Sequence, residues 1–187
     1  MHNYRRPTAL EESANAEAMM VFADQMAQFN AHCDALRNIE RNLPITVSDA
    51  LKAAQVSSGR VIQTDDGTEW QHGINLTNVT SVCHRHTPAG LEFAVVECLP
   101  LKSREMKNVL NSGHNVGDML KSFIREQRQV LRIWKDDVTA QVREHLEEKY
   151  PGQDLNIVAG SFEIKMARAI SETRLAAHQS QNRGIRV

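Results

Sequence analysis

The sequence is poor in residues that support covalent or metal cross-links, and it has few aromatic residues. Its three cysteines, Cys33, Cys83 and Cys98, are an odd number and form no CxxC pair, which argues against a disulfide framework and a zinc knuckle. Aromatic residues make up only 5% of the chain, so we expect a core of mainly aliphatic side chains. A chain of 187 residues can form such a core without cross-links.

Several motifs of common enzymes and targeting segments are also missing. The chain has no glycine-rich phosphate loop, no GxGxxG, no GxSxG and no HExxH, so the usual signatures of nucleotide-binding proteins and of many hydrolases are absent. We therefore expect no cofactor and favour a protein that is not an enzyme. Arg5 and Arg6 are not followed by an apolar stretch, and no apolar run is long enough to cross a bilayer. These features predict a cytoplasmic protein with no membrane partner.

A helical period dominates the first part of the chain. Thr8 followed by Glu11 has the form of a capping box, which predicts a helix start. Apolar residues then recur at steps of three and four, which predicts one long amphipathic helix that ends before Pro44; they are Phe22, Met26, Phe29, Cys33, Leu36, Ile39 and Leu43. Ser48 is a good N-cap for a short second helix, so the N-terminal helices should span residues 8–55.

The pattern changes between residues 60 and 99, where β-branched runs alternate with turn residues. Asp65-Asp66-Gly67 and Pro88-Ala89-Gly90 separate these runs, which predicts an antiparallel meander of three or four strands. Phe93-Ala94-Val95-Val96 is apolar at every position and should form the most buried strand.

The second half of the chain returns to a helical period. A long helix is predicted over 116–150, followed by a hairpin and a last helix over 154–178 and a polar tail over 179–187. No repeat or linker divides the chain, so we expect a single domain over residues 1–187. The predicted fold is α+β and helix-rich, with two long amphipathic helices packed against a small antiparallel meander and a C-terminal hairpin-helix.

Two groups of residues could support metal chemistry. His84 and His86 would share one face of a strand, and His72 and Glu92 on neighbouring strands could complete a metal site. Asp154, Glu163 and Lys165 resemble in type the carboxylates and lysine of metal-dependent nucleases. Both patterns also arise on solvent-facing strands without any site, so a metal-dependent nuclease or hydrolase is kept only as an alternative.

Charge is unevenly distributed, although the net charge is only -1. Five cations of the second long helix follow steps of four, three, four and three and therefore lie on one face; they are Lys121, Arg125, Arg128, Arg132 and Lys135. Such a face predicts an anionic partner, for example a nucleic-acid backbone. The alternatives are that the acidic first helix supplies partners such as Glu17 and Asp24, or that the face is simply solvated.

The apolar faces of the two long helices indicate association with another protein. The region of Met19, Met20, Phe22, Met26 and Phe29 could form an adaptable contact surface, although residues of these types at helical spacing are often core. We therefore predict non-catalytic protein binding, as an adaptor, inhibitor or chaperone-like module whose partner is another protein or a second copy of the chain in a homo-oligomer. Nucleic-acid binding through the basic helix face is a further alternative.

Overall fold

The fold is α+β, as predicted from the sequence. A computed structural model of the protein describes residues 8–56 and 59–153. Within these ranges the helices are α1 (Ala9–Val21), α2 (Ala23–Arg41), α3 (Leu43–Ala54) and α4 (Val116–Lys149). The strands are β1 (Val61–Gln63), β2 (Glu69–Asn75), β3 (Thr80–Thr87), β4 (Gly90–Pro100) and β5 (Glu105–Gly113). The hairpin, last helix and tail predicted over 154–187 lie outside the described residues.

The N-terminal helical region begins where the sequence indicated but is divided differently. The capping box is present: the Thr8 hydroxyl accepts from the Glu11 amide, and the Glu11 carboxylate accepts from the Thr8 amide. The prediction of one continuous helix to Leu43 is wrong, because the chain turns at Phe22 and again at Asn42. Pro44 does not separate two helices. It lies in the first turn of α3, where its missing N–H costs no helical hydrogen bond.

The strands form one antiparallel sheet in the order β1-β2-β3-β4-β5. Gly67 and Gly90 adopt positive φ values of 84° and 116° in the turns that join β1 to β2 and β3 to β4, a conformation that glycine adopts without steric cost. The prediction of three or four strands ending at residue 99 missed β5. Its Asn108, Asn111 and Ser112 have low strand propensity, and pairing with β4 is what makes the segment extended.

The sheet is curled and is buried on both faces along β4. The Asp65 amide in the β1–β2 turn donates to the Lys107 carbonyl of β5 at 2.9 Å, so the first hairpin reaches the far strand. One face carries a core cluster of Ile62, Trp70, Cys83, Ala94 and Val96. Phe93 and Val95 on the other face are at most 2% exposed, so the run Phe93–Val96 is buried throughout. β3 also has four buried residues, so the prediction that β4 is the most buried strand stays a prediction. Helix α3 packs on β2 and β3.

The chain divides into two compact units. Among the described residues, a helical unit comprises 8–32 and 131–153, and a sheet unit comprises 33–56 and 59–130. The described part of the helical unit contains α1, the start of α2 and the C-terminal half of α4, whereas the sheet unit contains all the described strands and α3. The single domain expected from the sequence stays a prediction.

Candidate functional site

The helical unit is an antiparallel pairing of the N-terminal helices with the end of α4. The Phe22 ring meets the His145 ring edge-on at 5.9 Å, and Phe29 meets Trp134 in the same way at 5.6 Å. Between these pairs, the Gln25 amide donates to the Gln141 side-chain oxygen at 3.3 Å. As the residue number rises on one helix it falls on the other, which is the register of an antiparallel helix pair.

The predicted contact residues of the first helix lie mostly inside this pairing. Phe22, Met26 and Phe29 are 8%, 5% and 7% exposed, and Met19 is half-buried. A partner that used these three buried side chains would have to displace α4 from its own chain. Their role in binding another chain stays a prediction.

Other apolar side chains of the helical unit are exposed, and of these only Met20 belonged to the contact region expected from the sequence. Met20 is 80% exposed, Val21 55%, Ile133 54% and Leu10 42%. Leu10 and Val21 are eleven residues apart on α1, close to three full turns, so they lie on the same side of that helix. The helical period alone cannot identify such residues, because their exposure depends on which side of α1 is packed.

A polar cluster around Glu17 links α1 to the C-terminal end of α4. The Glu17 carboxylate accepts hydrogen bonds from the Lys149 ammonium, the Tyr150 hydroxyl at 3.2 Å and the His145 ring at 3.4 Å. The Lys149 hydrogen bond is the main reason that the pKa of Glu17 lies below its ordinary value, and Tyr150 and His145 add to this effect. The same bond raises the pKa of Lys149. The role of Glu17 in the described structure is therefore to connect α1 to α4.

Asn15 is an unusual buried residue of α1. It is 0% exposed, and neither its amide nitrogen nor its amide oxygen has a hydrogen-bond partner among the residues that the structure describes. Glu11, Ala14 and Ala18 of the same helix are also buried, at 7%, 2% and 0% exposed. An unpaired buried amide costs free energy, and Asn15 therefore weakens this part of the helical unit.

The five predicted cations on α4 are all exposed, and two of them have ion-pair partners. Lys121 lies 3.8 Å from Asp118, and Arg128 lies 2.5 Å from Glu40 of α2. Arg125, Arg132 and Lys135 make no ion pair with any residue in the described ranges. Glu17, which the sequence offered as a partner for this face, binds Lys149 instead.

The four candidate metal ligands of the sheet are not gathered at one point. Glu92 accepts a hydrogen bond from Arg85 at 2.7 Å, and the Arg85 guanidinium lies 4.6 Å from the centre of the Trp70 ring. Because side chains alternate along a strand, Arg85 and Glu92 lie on the opposite face from His84 and His86. In the described ranges, no group of three or more His, Cys, Asp or Glu residues is arranged to hold a metal ion.

The histidines themselves differ in environment. His84 is 2% exposed, and burial, together with the nearby His86 and His72, lowers its pKa. The His72 ring is hydrogen-bonded to the Asn75 side chain at 2.8 Å. Neutral His84 is thus favoured inside the fold, whereas His72 is held by a local contact.

The other candidate catalytic set, Asp154, Glu163 and Lys165, lies outside the described residues. The cysteines are free thiols, and burial raises the pKa of Cys83 to about 12. A thiol with so high a pKa is a poor nucleophile near neutral pH.

Comparisons with known proteins give no family for this chain. No protein-family model matches it, and neither curated proteins nor solved structures gave a match. Among the helices in the described ranges, none has the length and apolar composition needed to cross a membrane.

Proposed function

We propose that the protein is a non-catalytic protein-interaction module whose binding surface lies on the helical unit. The supporting observation is the exposure of Met20 and Val21, which are 80% and 55% exposed at the end of α1. Large apolar side chains in contact with water gain free energy when a partner covers them. Methionine also adapts to partners of different shape because its side chain is unbranched and flexible.

The packing of the unit supports a binding role for its outside surface. Phe22, Phe29 and Trp134 fill the contact between the helices, so the exposed residues sit on a support that is already packed. A surface on a packed support loses less conformational entropy when it binds. The partner in this proposal is another cytoplasmic protein or a second copy of the chain, and the module acts as an adaptor, an inhibitor or a chaperone-like protein.

The first test is the solution mass by light scattering, with metal analysis of the same peak. We expect a metal-free dimer or larger assembly for the wild type. Met20→Asp should reduce the mass towards that of the monomer, because it places a charge in the proposed contact. Ile45→Asp is the matched control, since Ile45 is 63% exposed but lies on α3 in the sheet unit.

A monomeric wild type would remove the second copy as partner. The same two variants then test for a different protein in lysate: a specific partner should be retained by wild type and I45D but not by M20D. A monomer that carries stoichiometric metal, or a partner that M20D retains fully, would contradict the proposed function.

A further inference from the structure

Helix α4 carries a longer cationic face than the five residues singled out from the sequence. Arg143 follows Arg125 by eighteen residues, which is five full turns, so it lies on the same face. It is also exposed. The cationic face of α4 consists of Lys121, Arg125, Arg128, Arg132, Lys135 and Arg143.

Most of this positive charge is not neutralised within the described residues. Only Lys121 and Arg128 have carboxylate partners there, Asp118 and Glu40. Asp136 follows Arg132 by one turn but makes no ion pair with it. Like charges one turn apart repel each other, and a bound polyanion would remove that repulsion.

We propose that this face binds the phosphate backbone of double-stranded nucleic acid, without reading its sequence. From Lys121 to Lys135 the cations recur every three or four residues, about 4.5 to 6 Å along the helix, and a duplex offers a similarly regular line of charge. The aromatic residues of α4 are not available for base stacking: Phe123 is 4% exposed, and Trp134 packs against Phe29. A duplex backbone therefore suits this face better than single-stranded bases do. The inference is independent of the proposed protein-binding function.

The test is fluorescence anisotropy with two labelled duplexes of about 20 base pairs and different sequence, in salt from about 50 to 200 mM. We expect equal affinity for both duplexes, and weaker binding as the salt concentration rises. The variant R125Q/R132Q/K135Q removes three of the five cations singled out from the sequence, namely those without an ion-pair partner among the described residues. It should reduce the slope of log affinity against log salt concentration by about 2.7, at about 0.9 for each phosphate that is no longer neutralised.

Two matched variants make the test specific. R60Q/K102Q/R104Q removes three exposed cations of the sheet unit and should leave the slope unchanged, although the net charge changes equally. R125K/R132K/K135R keeps every charge on α4 and should bind like the wild type. Circular dichroism checks that each variant retains its helices.

Three results would overturn the proposal. The first is no duplex binding by the wild type at the lowest salt concentration. The second is an equal loss of slope in the sheet-unit control, which would place binding elsewhere. The third is tighter binding of polyglutamate than of duplex, which would assign the face to an acidic protein.

Discussion

Replacing Gly73 by alanine tests the packing between β2 and β3. A Cβ atom at this position would lie 2.7 Å from the Val82 carbonyl oxygen and 3.7 Å from the Ala53 Cβ atom of α3. Carbon and oxygen atoms in proteins normally approach no closer than about 3.3 Å. The strands must therefore separate by about 0.6 Å, and α3 limits the direction in which the new methyl group can move.

The expected cost follows from overpacking. Inserting a methyl group into a filled site typically costs about 1–3 kcal/mol, and the lower entropy of the unfolded alanine chain returns about 0.4–1 kcal/mol. We expect Gly73→Ala to lower the free energy of unfolding by about 1–2 kcal/mol. That corresponds to a change of about 5- to 30-fold in the folding equilibrium.

Gly113→Ala is the matched control on another strand. Its new Cβ would meet the Met119 side chain at 3.6 Å, an ordinary van der Waals distance, so the entropy term should dominate and stability should stay equal or rise by up to about 1 kcal/mol. Urea unfolding in a W134F background, where Trp70 is the only tryptophan, reports on the sheet unit. A G73A variant within about 0.5 kcal/mol of its parent or of G113A would refute the reasoning.

Further predictions concern the polar and thiol groups. The wild type should lose stability as the pH falls below about 4.5, the ordinary pKa of a glutamate, because Glu17 is then protonated. The folded-state pKa of Glu17 is depressed, so its contribution to stability is present above that pH and is lost as the pH falls through the folded-state pKa. E17Q should show a weaker loss between pH 5 and 3, seen by thermal melts, and E144Q should behave like the wild type. Cys83, with a pKa raised to about 12, should react with a thiol reagent at pH 8 only after denaturation, whereas Cys33 and Cys98 react first; rapid native labelling of all three thiols would contradict its burial. Asn15→Leu should raise the unfolding free energy by about 1–3 kcal/mol, because it removes an unpaired buried amide. A destabilised N15L would mean that the amide has a partner in solution.

Local signals in the sequence were sufficient for several features of the structure. Thr8 and Glu11 identified the start of α1, because a capping box involves residues only three positions apart. The helical period identified α4, which was predicted over 116–150 and spans Val116–Lys149, and the Asp-Gly turn separated the first two strands. In each case the residues that determine the structure are close together in the chain, so no knowledge of tertiary contacts was needed.

Other features were decided only when distant segments met. β5 became a strand by pairing with β4, although its own residues favour other conformations. Arg128 forms an ion pair with Glu40, and Glu17 forms one with Lys149. Arg125, Arg132 and Lys135 form no ion pair with any described residue. A helical period shows which side chains share a face but not what that face contacts. The chain by itself therefore determined the start of α1, the extent of α4 and the periodicity of the helices. The tertiary structure decided that β5 is a strand and which apolar and cationic side chains remain exposed.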